Sequence, residues 1–156
     1  MRIGVLAVQG AFAEHTAKLK ELGAEAFEIR QLKDISENID GLIFPSGEST
    51  VMKKLLRELK LYEPIKEMIC GGIPVFGTCA GMILLAKGID NGEEPCFGTM
   101  DIVVKRNAYG KQLGSFNCID SFAGHNIEMP FIRAPYVVSV GKIRRYYQSM
   151  MERSRR

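Results

Sequence analysis

The stretch Pro74-Val75-Phe76-Gly77-Thr78-Cys79-Ala80-Gly81-Met82 decides the fold, because it places a cysteine between an apolar strand and a helix. The pattern Gly77-x-Cys79-x-Gly81 is the cysteine form of the G-x-S-x-G elbow, in which the nucleophile occupies a tight, strained turn. Unpaired N–H groups and the helix dipole at such a turn lower the pKa of a thiol. We therefore predict that Cys79 is a nucleophile rather than a buried structural cysteine. The N–H group of Ala80 is expected to face an oxyanion on the substrate.

A second loop, at residues 45–50, reads Pro-Ser-Gly-Glu-Ser-Thr. Its glycine, Gly47, allows backbone N–H groups to approach a ligand closely. The same residues also fit a plain turn followed by a helix, with Ser49 or Thr50 as the N-cap residue. Taken alone, the loop favours this second interpretation.

Apolar runs typical of strands alternate with helical stretches along the chain, which predicts an α/β fold with a mostly parallel sheet and helices on both faces. The predicted strands are 2–7, 24–29, 41–44, 73–76, 100–104, 114–119, 131–133 and 136–140. The predicted helices are 11–22, 63–69, 78–86 and one that follows the 45–50 loop to about residue 59. Gly23 is expected to end the first helix.

Composition is typical of one soluble globular domain, with 156 residues, 46% hydrophobic and 25% charged. No apolar run approaches the roughly 20 residues of a membrane span, and no secretory signal opens the chain. The four cysteines have no C-x-x-C spacing, which disfavours metal clusters and redox pairs. We therefore expect reduced thiols, no metal and a cytoplasmic location.

The net charge of +3 is unevenly distributed. From residue 142 onward the chain has six basic residues and one acid, a net +5, which leaves −2 for the residues before it. The basic character therefore belongs to the tail at 142–156 alone. A binder of nucleic acid or acidic membranes acting through this tail is an alternative that we disfavour, so we expect neither partner.

Five stretches give the chain a specific resemblance. They are Gly-Val-Leu-Ala-Val-Gln-Gly-Ala-Phe at 4–12 with Glu14 and His15, Gly-Glu-Ser-Thr at 47–50, Gly-Thr-Cys-Ala-Gly-Met at 77–82, Arg-Asn-Ala-Tyr-Gly at 106–110 and Phe-Ile-Arg-Ala-Pro at 131–135. Over residues 1–140 the chain resembles the glutaminase subunit of pyridoxal 5′-phosphate synthase, within the triad (class I) glutamine amidotransferases. The resemblance implies their three-layer, flavodoxin-like fold.

The same resemblance implies a reaction and a site. Cys79 would attack the side-chain amide of L-glutamine, giving a thioester and ammonia, and the ammonia would pass to the barrel-shaped synthase subunit. Gly47 and Ala80 would supply the oxyanion-hole N–H groups, and no cofactor would be bound. The implied glutamine-binding residues are Gly47, Glu48, Ser49, Arg106, Ile132 and Arg133. An arginine suits the substrate carboxylate, and Glu48 suits its ammonium group.

Two features depart from the family. Ser46 stands where the family usually carries glycine, and it would store strain if the position required a positive φ. The family's catalytic His-Pro-Glu tripeptide is absent from these 156 residues, whose two histidines are His15 and His125. We expect His15 to serve in packing or at the synthase interface. His125 falls in a predicted polar loop and is not expected to act as a base.

The end of the chain predicts a shift of reading frame. Read one base earlier, the codons of Tyr146-Tyr147 force a leucine, and those of Met150-Met151-Glu152 force Asp-Gly. The segment can then resemble the family's continuation. We accordingly expect an amidotransferase domain at 1–141, incomplete at its C-terminus, and a non-family tail at 142–156, so that the 156-residue chain is inactive.

Two further functions stay open. One is a non-catalytic subunit that binds glutamine and the synthase without hydrolysis. The other is the glutaminase of imidazole glycerol phosphate synthase, which the 106–110 and 131–135 stretches disfavour.

Overall fold

The fold is built around a sheet of four parallel strands. A computed structural model describes residues 1–35, 38–106, 116–122, 124–131 and 135–141. The four strands of the sheet are β1 (Arg2–Leu6), β2 (Glu25–Ile29), β3 (Gly41–Phe44) and β4 (Val75–Gly77). Their order is β2-β1-β3-β4. β1 and β3 are almost wholly buried, as expected of central strands covered on both sides.

Helices cover both faces of this sheet. α1 (Phe12–Glu21) packs through Phe12 and Leu19 on the face formed by Ile3, Val5 and Ile43. α2 (Ser49–Glu58), α3 (Tyr62–Cys70) and α4 (Ala80–Leu85) contribute to the core on the opposite face. The predicted three-layer α/β fold is confirmed in the part of the chain that the structure describes. No helix in that part is both long and apolar enough to cross a bilayer.

A second, mixed sheet follows the central one. β5 (Ala86–Ile89) runs parallel to β6 (Met100–Lys105), and β6 pairs antiparallel with β9 (Tyr136–Val140). β7 (Phe116–Phe122) and β8 (His125–Phe131) form an antiparallel pair. The second sheet matters for function because Arg106 directly follows β6.

Most predicted elements are present, with three differences. The sequence did not predict β5: the helix predicted at 78–86 ends at Leu85, and the chain turns directly into a strand. His125 was expected in a polar loop, but it begins β8. The strand predicted at 114–119 is observed at 116–122, and residues 132 and 133 of the strand predicted at 131–133 lie outside the described residues. Gly23 ends the first helical segment with φ +77°, as predicted.

The strand order sets the place of the ligand site. From β1 the chain goes first to β2 on one side and then to β3 on the other, so the switch in direction lies between β1 and β3. Open α/β sheets bind ligands at the carboxyl ends of the strands beside such a switch point. The loops that follow β1, β3 and β4 all leave the sheet at this edge.

Candidate active site

Cys79 occupies the strained turn between β4 and α4. Its backbone has φ +48° and ψ −103°, a conformation that L-residues rarely adopt. The turn is tight because the glycines on either side of it pack together. A Cβ on Gly77 would lie 2.8 Å from the backbone carbon of Gly81, and a Cβ on Gly81 would overlap the Phe44 carbonyl oxygen. The elbow geometry that the sequence predicted is therefore present around this cysteine.

Two backbone N–H groups reach the Cys79 thiol. One belongs to Ala80, at the start of α4, and the other to Gly47, in the loop after β3. Both act as hydrogen-bond donors that favour the thiolate. The structure thus brings together the three residues that the sequence assigned to the nucleophile and the oxyanion hole. Two N–H groups that converge on one point can stabilise negative charge developing on a substrate oxygen.

The pKa of Cys79 is raised, contrary to the lowering expected from a helix N-terminus. Burial of the half-exposed thiol is the largest cause, and the nearby Glu48 carboxylate acts in the same direction. The N–H groups of Ala80 and Gly47 oppose this rise without overcoming it. α4 is only six residues long, so its dipole is small. The thiol is therefore mainly protonated at neutral pH and needs a base before it can attack.

The Gly47 loop is held in place by the turn after β1. The side-chain oxygen of Gln9 accepts a hydrogen bond from the Glu48 N–H at 2.8 Å, and the Ala11 N–H donates to the Ser46 carbonyl at 2.9 Å. Gly10 has φ +100°, and a Cβ there would overlap the Ser46 carbonyl oxygen. Sequence reasoning did not assign Gln9 or Gly10 to the site, although both lie in a stretch quoted for the resemblance.

Ser46 is not strained. Among the described residues, the positive-φ residues other than glycine are Lys60 and Cys79. The Ser46 hydroxyl donates to Thr78 Oγ1 at 3.2 Å, and His15 Nε2 lies 3.2 Å from the same oxygen. Serine is therefore accommodated at this position without a positive φ, and it adds a side-chain contact to the elbow.

Glu48 and Arg106 form an ion pair beside the elbow. Glu48 is the N-cap of α2: its Oε1 accepts hydrogen bonds from the Thr50 N–H at 3.3 Å and the Thr50 hydroxyl at 2.9 Å. The same oxygen accepts from Arg106 Nη2 at 3.1 Å. Within the described part of the chain, the second oxygen of Glu48 has no hydrogen-bond partner. A carboxylate and a guanidinium placed side by side match the charges of an amino-acid head group.

A cavity of about 230 Å³ lies next to this ion pair. Its lining includes Ser49, Thr50, Lys53, Glu93, Cys96 and Arg106. The cavity does not extend to Cys79, Gly47 or Ala80, so it covers the ion-pair side of the site rather than the nucleophile. Glu93 is a site residue that the sequence analysis missed. It accepts a hydrogen bond from Arg106 Nη1 at 2.6 Å.

The remaining predicted site residues divide into two groups. Ser49 is buried at the first turn of α2 and lines the cavity. Ile132 and Arg133 lie outside the described residues, so their assignment to glutamine binding stays a prediction.

Cys70 and Cys96 are free thiols, and burial raises the pKa of Cys96 to about 11. The described residues contain no cluster of three or more metal-ligating side chains.

Neither histidine serves Cys79 in the described structure. His15 is half-buried on α1, where it contacts Thr78 and meets the edge of the Phe76 ring at 6.4 Å between centroids. Burial lowers the pKa of His15, and the Glu14 carboxylate partly opposes that effect. His125 is exposed at the start of β8. No hydrogen bond joins either imidazole to Cys79 among the described residues.

Comparison with known proteins adds a family match. The sequence profile of the SNO glutamine amidotransferase family matches residues 5–152. This match extends into the segment at 142–156 that the sequence analysis placed outside the family, and the boundary at 141 stays a prediction.

Three relatives are similar over most of the chain, and each bears the name "Pyridoxal 5'-phosphate synthase subunit PdxT". The protein from Methanocorpusculum labreanum is 61% identical over 143 residues, covering 91% of this chain and 75% of its own length. That from Haemophilus influenzae is 58% identical over 146 residues, with 91% and 76% coverage. That from Desulfitobacterium hafniense is 53% identical over 143 residues, with 91% and 72% coverage.

Two solved structures share the fold. A structure described as "Crystal structure of glutamine amidotransferase" has a TM-score of 0.81 and 42% identity, covering 90% of this chain and 75% of the other. The "Structure of PurLQS from Thermotoga maritima" has a TM-score of 0.65 and 16% identity, covering 91% and 71%. The second likeness concerns the fold alone.

Proposed function

The chain belongs to the SNO glutamine amidotransferase family, and on that premise we propose that it is a glutaminase subunit. Such a subunit hydrolyses L-glutamine to glutamate and ammonia and passes the ammonia to the synthase subunit of pyridoxal 5′-phosphate synthase, in vitamin B6 biosynthesis. The relatives named as subunits of that synthase support the choice of partner. The proposal includes a cytoplasmic location and no binding to membranes or nucleic acid.

One observation carries this proposal: Cys79 sits at positive φ on the elbow, and the backbone N–H groups of Gly47 and Ala80 both favour its thiolate. The Cys79 sulfur attacks the carbonyl carbon of the glutamine side chain, and the two N–H groups stabilise the charge that develops on oxygen. The thiol proton leaves with the amide nitrogen as ammonia. Water then cleaves the thioester, which releases glutamate and restores the thiol.

The ion pair beside the elbow supplies recognition of the substrate head group. Arg106 binds the α-carboxylate, and Glu48 binds the α-ammonium group through the oxygen that has no partner among the described residues. Ser49, buried at the first turn of α2, lines the cavity beside this ion pair. Ile132 and Arg133 complete the substrate-binding set in this proposal.

The proposal also concerns the base for Cys79, which we do not find among the described residues. Because burial raises the pKa of this thiol, spontaneous ionisation at neutral pH is small. The 156 residues contain two histidines, and neither is bonded to the thiol where the structure describes them. We therefore propose that the 156-residue chain binds glutamine but turns it over negligibly. A non-catalytic subunit that binds glutamine and the synthase is the second candidate function, and this lack of a base favours it.

A glutamine-like electrophile tests the assignment without requiring turnover. A diazoketone analogue of L-glutamine should alkylate Cys79 selectively, and mass spectrometry locates the adduct. The chain has built-in controls, because Cys70 is exposed and Cys96 is buried. Excess L-glutamine should protect Cys79 but leave Cys70 labelling unchanged. Labelling that favours Cys70, or that L-glutamine does not reduce, would argue against the proposed site.

A further inference from the structure

The Arg106 guanidinium is shared between two carboxylates on different parts of the fold. Its Nη1 donates to Glu93 Oε2 at 2.6 Å, and its Nη2 donates to Glu48 Oε1 at 3.1 Å. The Arg106 side chain is only 18% exposed. An arginine that uses one nitrogen for each acid is bidentate to neither, so its position depends on both.

The Glu93 side chain is also oriented by hydrogen bonds with Asn91. Its second carboxylate oxygen accepts a hydrogen bond from the Asn91 amide at 2.5 Å, and its backbone N–H donates to the Asn91 side-chain oxygen at 3.1 Å. These two reciprocal bonds fix the direction of the Glu93 side chain although it is partly exposed. The shorter of the two Arg106 contacts is therefore made to an acid that is already oriented.

The loop that carries Glu93 is hydrogen-bonded to side chains of α2 and α3. Lys53 on α2 donates to the Glu94 carbonyl at 2.7 Å and to the Pro95 carbonyl at 3.3 Å. The Tyr62 hydroxyl on α3 donates to the Cys96 carbonyl at 3.0 Å. Because Glu48 is the N-cap residue of α2, the same helix positions both acids that bond Arg106.

Removing Glu93 would change what Arg106 can do. With Glu93 absent, Arg106 is free to turn both of its terminal nitrogens toward Glu48 and to form a bidentate pair with it. The oxygen of Glu48 that now has no partner among the described residues would then be occupied. Glu48 and Arg106 would neutralise each other, and neither would be open to a charged ligand.

We propose that Glu93 is a positioning residue for substrate binding, which holds Arg106 apart from a closed pair with Glu48 so that the cavity recognises an α-amino acid head group. This inference rests on the proposed glutaminase function. It assigns Glu93 no contact with the reacting atoms. It predicts that substitutions at Glu93 affect glutamine affinity and leave the chemistry of Cys79 unchanged.

The test measures protection of Cys79 from alkylation by iodoacetamide in the full chain. Without ligand, Glu93→Ala should alkylate at the wild-type rate within about twofold, because the elbow is unaltered. The L-glutamine concentration that halves this rate should rise about tenfold, the usual effect of losing one charge-assisted hydrogen bond. Glu93→Gln keeps an oxygen acceptor for Arg106 and should recover most of the affinity.

Glu58→Ala is the matched control, since Glu58 is an exposed acid on α2 that pairs with Lys54 and does not line the cavity. It should behave as wild type. Unchanged glutamine protection in Glu93→Ala would overturn the inference. So would a change in the ligand-free alkylation rate that Glu93→Gln also shows, because that would indicate a structural role. Failure of L-glutamine to protect the wild-type chain would instead overturn the proposed function, and the inference with it.

Discussion

Gly77 and Gly81 face each other across the Cys79 turn, and a Cβ on the first would lie 2.8 Å from the backbone carbon of the second. No side chain fits at that separation without movement of the backbone. The glycines therefore bring β4 and α4 close enough to hold Cys79 at φ +48°. This contact links the sequence pattern to the strained, half-exposed position of the nucleophile.

Substitution of Gly81 by alanine should be strongly destabilising, because its Cβ would overlap the Phe44 carbonyl oxygen. We expect the free energy of unfolding to fall by about 3 kcal/mol, at the upper end of the usual cost of overpacking. Urea denaturation followed by circular dichroism measures this change. Gly92→Ala is the control: Gly92 also has positive φ but open space around it, so only about 1 kcal/mol of backbone strain is expected. Equal losses in both variants would show that packing at Gly81 is unimportant.

The rate of Cys79 alkylation should report its raised pKa. Since the thiolate is the reactive form, the pH–rate profile should have its midpoint above that of a free cysteine. Glu48→Gln removes a nearby negative charge that disfavours the thiolate, so the midpoint should move to lower pH. Iodoacetamide labelling between pH 6 and pH 11, read by mass spectrometry, gives both curves. A wild-type midpoint below that of free cysteine would contradict this account of the elbow.

Whether the backbone at Ser46 is strained can be tested by the direction in which Ser46→Gly changes the free energy of unfolding. Ser46→Gly removes the hydroxyl bond to Thr78 and increases the freedom of the unfolded chain. The free energy of unfolding should therefore fall by about 1–2 kcal/mol. Ser46→Ala removes only the hydrogen bond and should cost about 1 kcal/mol. Stabilisation by glycine in urea melts would mean that serine is strained at this position.

Arg106→Lys should weaken glutamine binding although the charge is conserved. A lysine ammonium cannot place two separate nitrogens on Glu48 and Glu93 as the guanidinium does. We expect about tenfold more L-glutamine to be needed for protection of Cys79. Lys105→Ala is the neighbouring control, because Lys105 is exposed and pairs with Asp90, and neither residue lines the cavity. If L-glutamine protects Arg106→Lys as well as it protects the wild type, Arg106 does not contribute to substrate binding.

The sequence predicts the central sheet and the elbow because their signals are local. Buried strands such as β3 are continuous apolar runs, and the elbow is fixed by glycines within five residues. β5 was missed because Ala86 continues the apolar run of α4, with no turn residue between them. β8 was missed because its polar residues and Pro130 are atypical of strands.

The part of the site that the sequence does not predict depends on contacts between residues far apart in the chain. Glu93 meets Arg106 only because β6 returns the chain to the loop that precedes it, and Arg106 meets Glu48 across 58 positions of sequence. Neither contact leaves a periodic pattern or a motif in the chain. The expected fall in the pKa of Cys79 was wrong for a related reason. Burial of the thiol depends on how the loops pack around it, and the dipole of a helix does not reveal that packing.

Ammonia release from L-glutamine in the presence of the synthase subunit tests the central claim most directly. Three chains are compared: the 156-residue chain, a version in the alternative reading frame that we predict to end in His-Pro-Glu, and that version carrying Cys79→Ala. We predict negligible ammonia from the first, steady turnover from the second and none from the third, because Cys79 requires a base to attack. Ready turnover by the 156-residue chain, or by the Cys79→Ala version, would contradict the account.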